Sequence, residues 1–306
     1  MIILDTLKAL VYTAVFSLLS TPFDFVLARA IGAIDTPKDG RRMHSRPIPR
    51  IGGISIFFSF VIFSLMFCRA TAGKLFSVLF GSILIVVLGV IDDCVPLSPK
   101  IKLSVQFTAV MLAVSGLTIY EGRMNAAIMA FAALWTLTLT NAHNFIDGLD
   151  GLCVGVSLTE AVSLGFLFLI SDSASLALIA FVLGGACIGF FPFNAKNAKI
   201  FMGDTGSTFL GFVLGFLSLE LLRLTPTLPT FLSIVFIFAI PLTDITFAII
   251  RRISQGKSPF APDRSHIHHL LADGKIGHKR ASLIIRLSSG LFDILGIYIY
   301  LFSMIF

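Results

Sequence analysis

Charge is what this chain has least of. Only 13% of its 306 residues are charged, against 56% hydrophobic, and the mean hydropathy is +0.95. That balance argues against a soluble core and leaves no room for a large soluble domain. Cysteine is also scarce. Cys68, Cys94, Cys153 and Cys187 are widely spaced and form no CxxC pair, which argues against a disulfide framework or a cysteine zinc site. A clear cleavage site is missing from the N-terminal stretch, where Asp5 and Lys8 precede a long apolar run. That stretch is expected to be a membrane helix rather than a signal peptide. Tryptophan occurs once, whereas Phe occurs 31 times, a composition suited to a lipid-facing helical bundle.

Ten apolar segments are long enough to span a bilayer: 8–30, 51–68, 75–91, 103–119, 125–141, 152–170, 174–192, 206–222, 230–250 and 282–305. The expected fold is all-α integral membrane, a single polytopic domain of about ten transmembrane helices over residues 1–306. The loops after odd-numbered spans are long and polar and hold 16 Lys and Arg, whereas those after even-numbered spans are short and hold four. Basic loops stay inside, so the long loops are expected to be cytoplasmic and both termini outside. Nine of the 14 Asp lie in the same long loops. Mixed acids and bases on one face predict an active site on cytoplasmic loops. The net charge of +6 fits anionic lipid and phosphate partners and gives no reason to invoke nucleic acid.

The stretch that breaks the apolar pattern most sharply is Asn141–Leu152, NAHNFIDGLDGL. It has Asn144, Asp147 and Asp150 and no Lys or Arg. If helical, the two aspartates share a face, and they ask for a cation or donors from elsewhere. Asp92 and Asp93 adjoin in IDDCVPLSPKIK, with Lys100 and Lys102 following. One carboxylate could ligate Mg²⁺ together with substrate phosphates, and the other could act on a proton. The first long loop carries a basic cluster of Arg41, Arg42, His44, Arg46 and Arg50, able to hold phosphate. Asp204, in FMGDTGST, is either an N-cap or part of a phosphate–metal site at a helix start. Phe201 offers an aromatic face for a base. His266, His268 and His269 cluster after Asp263-Arg264-Ser265, a pattern better suited to phosphate than to a transition metal. Asp244 is an acid inside the ninth apolar segment and a functional candidate for that reason. Together these groups suit phosphoryl transfer between a soluble nucleotide and a lipid phosphate. A ten-span transporter of an anionic solute is the alternative from another class, and it requires polar groups near the bilayer midplane.

The order VIDD, NAHNFIDGLDGL, FMGDTGS and DRSHIHH resembles the polyprenyl-phosphate N-acetylhexosamine-1-phosphate transferases, over nearly the whole chain, from Asp35 to His269. HIHH, interrupted by Ile267, is similar to the branch using UDP-N-acetylglucosamine and undecaprenyl phosphate. The branch transferring phospho-N-acetylmuramoyl-pentapeptide usually has three consecutive His, and it remains the second alternative. The resemblance implies a bacterial inner-membrane enzyme, Mg²⁺ (with Mn²⁺ as a substitute), a lipid-linked sugar diphosphate and UMP as products, and a homodimer. It implies Asp204 as the metal ligand and Asp92 and Asp93 beside the lipid phosphate. Asn144, Asp147, Asp150, Asn194 and Phe201 would form the nucleotide pocket. His266, His268 and His269 would contact the diphosphate or sugar, and Lys100 or Lys102 would hold phosphates, as would Arg41 and His44 of the first-loop cluster.

Overall fold

The architecture follows from the need of each apolar segment to satisfy its backbone internally in lipid, which leaves helices as the solution. The computed structural model describes residues 2–36, 46–68, 72–121, 125–256 and 277–305. In chain order the helices are α1 (Ile2–Ile31), α2 (Gly53–Phe67), α3 (Ala72–Cys94), α4 (Pro99–Glu121), α5 (Ala126–Ile146) and α6 (Leu152–Ile170). They continue as α7 (Ala174–Asn194), α8 (Gly203–Leu224), α9 (Leu228–Ile237), α10 (Ala239–Ser254) and α11 (His278–Ile305). Two short strands, β1 (Ile34–Asp35) and β2 (Ile48–Pro49), pair antiparallel with Ile34 opposite Pro49.

Each of the ten expected segments falls in a helix or, for 230–250, in the pair α9–α10, which is bent by 78° at Phe238. The number able to cross a membrane is smaller among the described residues. Seven helices are long and apolar enough, or eight if the bent pair is one span. Helix α2 has only 15 residues, and α4 carries Lys100 and Lys102 in its first turn. The loops are also shorter than expected. Asp92 and Asp93 sit in the last turn of α3 and Asp204 in the first turn of α8, so all three are helical.

Helix α8 is the axis of the bundle, with every residue from Thr205 to Leu221 buried. It packs against α2, α3, α5 and α6. Outer helices such as α1 and α11 show apolar side chains outward, among them Phe23, Val26, Leu287 and Leu291, as a lipid-facing surface requires. The starts of α2 and α8 meet almost backbone to backbone. A methyl on Gly53 would strike the Gly206 backbone, so only glycine permits that approach. The connection before α8 is tied to the head of α2. Phe201 N donates to Pro49 O at 2.8 Å, Gly52 N to Phe201 O at 3.0 Å, and Gly53 N to Met202 O at 3.0 Å.

Buried acids within the bundle are more numerous than sequence reading anticipated. Besides Asp244, the interior holds Asp24, Glu160, Glu220 and Asp293. Asp24 accepts from Ser55 N at 3.1 Å and so caps the start of α2 from α1.

Candidate active site

The paired helix starts set the floor of the site. A helix N-terminus leaves N–H groups without intrahelical acceptors, and in α8 the acceptor comes from α3. Asp93 takes Asp204 N at 3.1 Å, Thr205 N at 3.1 Å and the Thr205 hydroxyl at 2.7 Å. Arg50 Nε completes its shell at 3.0 Å, and the Asp93 side chain is wholly buried. The adjacent aspartates therefore differ in surroundings. Asp93 positions a helix, whereas Asp92 meets the Lys102 ammonium at 3.1 Å and accepts Leu97 N at 2.8 Å. Asp204 is not the cap of its own helix: it is the second residue of α8, in the first turn, with Asp93 in the capping role.

Two cations converge on Asp204. Lys102 bonds one carboxylate oxygen, and Arg50 Nη2 lies 3.8 Å from the other. Lys102 thus bridges Asp92 and Asp204, while Lys100 is exposed. Opposite charges and a helix N-terminus together favour an anionic Asp204. Asn144, in the last turn of α5, donates to Ser207 at 3.0 Å and brings its amide to the same place.

The turn between α5 and α6 forms the opposite wall. Asp147 ends α5, and Gly151 starts α6 with φ of 68°, so residues 147–151 are a tight turn. Asp147 and Asp150 therefore do not share a helical face. The turn is held by α7, where Asn194 accepts Gly151 N at 3.0 Å and donates to Ile200 O at 3.0 Å. The Asn194 amide is committed to backbone, a scaffolding position rather than a free recognition group. Asp150 accepts Ala198 N at 3.0 Å. The Asp147 N–H donates to Asn144 O at 3.3 Å, and its carboxylate has no hydrogen-bond partner among the described residues. Desolvation, with the charges of Asp204 and Asp93 adding to it, pushes its carboxyl well above the usual carboxylate range.

These walls enclose a cleft of about 1070 Å³. The sequence-predicted residues Asn144, Asp147, Asp150, Asn194, Phe201 and Asp204 line it together. Sequence reading passed over Lys199 and Lys279, which also line it, and grouped Arg46 and Arg50 with their loop without separating them. The signal for Arg50 was its place directly before the Ile51-Gly52-Gly53 helix start; nothing local marked Lys279. Five predicted residues, Arg41, His44, His266, His268 and His269, lie outside the described residues. The helix that follows the histidine segment begins with His278 and Lys279 in the cleft wall. His143, from the same NAHN run, is not part of the cleft: it is fully buried and meets Glu160 at 2.7 Å.

The comparisons with known proteins point one way. The family model described as glycosyl transferase family 4 matches residues 75–222. The probable undecaprenyl-phosphate N-acetylglucosaminyl 1-phosphate transferase of Bacillus subtilis is 36% identical over 92% of this chain and 81% of its own length. The undecaprenyl-phosphate alpha-N-acetylglucosaminyl 1-phosphate transferase of Thermotoga maritima is 33% identical over 94% of this chain and 88% of its own. Its counterpart in Escherichia coli is 30% identical over 96% and 82%.

Proposed function

The chain belongs to the polyprenyl-phosphate N-acetylhexosamine-1-phosphate transferases, and from that premise we propose that it moves N-acetylglucosamine-1-phosphate from UDP-N-acetylglucosamine to undecaprenyl phosphate. The products are a lipid-linked sugar diphosphate and UMP, the first membrane step of a cell-envelope glycan. The observation that carries this reading is the cleft itself. It sets Asp147, Asp150 and Asp204 against Arg46, Arg50, Lys199 and Lys279 at the ends of apolar helices. A nucleotide diphosphate and a lipid phosphate are both anionic, so their approach requires such cations.

In the proposed reaction an oxygen of the lipid phosphate attacks the donor phosphorus nearest the sugar. A new P–O bond forms there, and the bond from that phosphorus to the bridging oxygen of UMP breaks. Arg50 and Lys102 offset the charge that gathers, and Asp92 orients Lys102. Asp147 and Phe201 face the nucleoside, with Asn194 and Asp150 fixing the turn beneath it. Asp93 acts by seating α8.

The residues fit Mg²⁺. Asp92 and Asp204 already bring one carboxylate oxygen each to a common cation, the Lys102 ammonium. A hard dication bound by one or two carboxylates plus substrate phosphates takes the same donors. Asp204, with Asp92 beside it, would hold the ion, and Mn²⁺ would substitute. When bound it supplies charge neutralisation at the diphosphate. The proposed location is the bacterial inner membrane, with the cleft cytoplasmic and both termini outside, as the basic loops favour.

The test is transfer in detergent with radiolabelled UDP-N-acetylglucosamine, undecaprenyl phosphate and Mg²⁺. Label in the lipid and released UMP, both lost in Asp204→Ala and on chelation, are expected. Label only with the muramoyl-pentapeptide nucleotide would move the protein to the other branch. Label from no UDP-sugar would sink the reading.

A further inference from the structure

The two helices flanking the 147–151 turn are joined through a residue outside the cleft. His143 lies in the last turn of α5, and its carbonyl accepts the Cys153 thiol of α6 at 3.3 Å. Helical side chains tilt toward the helix N-terminus, so the His143 ring points back along α5, away from the turn. Its Nδ1 reaches Leu139 O at 2.9 Å, and its Nε2 reaches Glu160 Oε2 at 2.7 Å. Cys153 and Glu160 stand at i and i+7, two turns apart on one face of α6. His143 therefore touches α6 at both levels. The Phe238 ring packs edge-on against the imidazole, with centroids 6.2 Å apart, and His143 and Glu160 are both 0% exposed.

A carbonyl only accepts, so the Leu139 contact places a hydrogen on Nδ1. The short contact between Nε2 and Oε2 holds a second proton, and the pair as a whole is neutral. Such a pair is a poor source of net stability, because apolar residues of similar volume replace a buried ion pair at little cost or with gain. What it supplies is direction: a short hydrogen bond between two buried groups fixes the rotation of α5 against α6. The turn between these helices is the segment that a rotation moves. Its α6 side is tied elsewhere, since Asn194 accepts Gly151 N at 3.0 Å and Asp150 O accepts the Ser282 hydroxyl at 2.9 Å. Its α5 side, with Asp147, follows the last turn of α5, where Asp147 N donates to Asn144 O at 3.3 Å. His143 is one residue before Asn144 in that turn.

We infer that His143 and Glu160 are positioning residues for the donor nucleotide. Their buried contact sets the rotation of α5 against α6, and through it the place of Asp147 in the cleft wall. The inference rests on the proposed assignment of that wall to the nucleoside. Neither side chain lines the cleft, so both act through the turn rather than on the substrate. Losing the contact should weaken capture of the donor and leave the lipid phosphate and the charge-bearing groups around Asp204 as they are.

The test is the double variant His143→Leu with Glu160→Met, which removes both polar groups together and leaves neither partner buried alone. Its unfolding midpoint in detergent should stay close to that of the wild type. Its KM for UDP-N-acetylglucosamine should rise about tenfold, with kcat and the KM for undecaprenyl phosphate within about twofold, the pattern of lost ground-state binding. Amide hydrogen exchange at residues 147–151 should quicken by about tenfold, as a loosened turn requires. A double variant with wild-type KM and wild-type exchange would overturn the inference and leave the pair a packing feature. Should the double variant lose its midpoint, Glu160→Gln and Glu160→Asp carry the comparison. Glutamine keeps the reach and an N–H for Nε2 and should match the wild type, whereas the shorter aspartate should raise the donor KM and the exchange rate. The two behaving alike would overturn the inference. A wild type that transfers from no UDP-sugar would sink the proposed reaction, and the exchange at 147–151 then decides the positioning role without it.

Discussion

Replacing Asp93 separates a positioning role from a chemical one. Asp93 holds two backbone N–H groups and a hydroxyl at the start of α8, and it pairs with Arg50 at 3.0 Å. Loss of a helix cap costs about 1 kcal/mol, and stripping one partner from a buried ion pair costs roughly 3–5 kcal/mol when the other is fully buried. Arg50 is 31% exposed, so water recovers part of that second cost. Asp93→Ala should therefore destabilise by about 3 kcal/mol. Asp93→Asn keeps one acceptor oxygen and should cost about 1–2 kcal/mol. Asp92→Asn retains an acceptor for Leu97 N, lies closer to solvent, and should cost under about 1 kcal/mol. Unfolding midpoints at one scan rate, beside initial transfer rates at saturating substrates, read both effects. The expected pattern is stability lost in the Asp93 variants and turnover lost in Asp92→Asn with its midpoint nearly intact. An Asp93→Asn protein as stable as wild type but without turnover would refute the assignment of Asp93 to the scaffold.

Two further outcomes follow from the same geometry. Lys102→Met leaves the Asp92 and Asp204 carboxylates facing each other and should lower transfer by about a hundredfold, roughly 3 kcal/mol of barrier, whereas exposed Lys100→Met should stay within about twofold, a shift under 1 kcal/mol; equal losses in both would refute the bridging role. For Asp147, the folded-state pKa is raised above its ordinary value, so the folded chain holds this proton more tightly than the unfolded one. Stability from this group is present at low pH and falls as pH rises from the ordinary carboxylate value through the raised one. Asp147→Asn should therefore be more stable than wild type above that window and match it below. Midpoints measured across acidic to mildly alkaline buffers check this, and a parallel wild-type and variant profile would contradict it.

The sequence by itself determined the class and most of the site's membership. Apolar runs of bilayer length permit only helices, because backbone groups in lipid must be satisfied within the segment. Polar breaks between those runs mark where chemistry can be solvated, and Asn144, Asp147, Asp150, Phe201 and Asp204 do meet in one cleft. Which of two neighbours does what was not legible. Asp92 and Asp93, or Lys100 and Lys102, are equivalent as letters; the phase of the last turn of α3 and the first turn of α4 decides which side chain meets Asp204. The same holds for Asn194, whose amide is taken up by the backbone of two connections distant in sequence. A composition-based count sees ten apolar segments but not the 78° bend at Phe238 or the brevity of α2, since bends and lengths are settled by packing. Local chemistry along the chain names the groups that need water, metal or phosphate. Only the packing of one helix against another decides which of them face a ligand and which hold the fold.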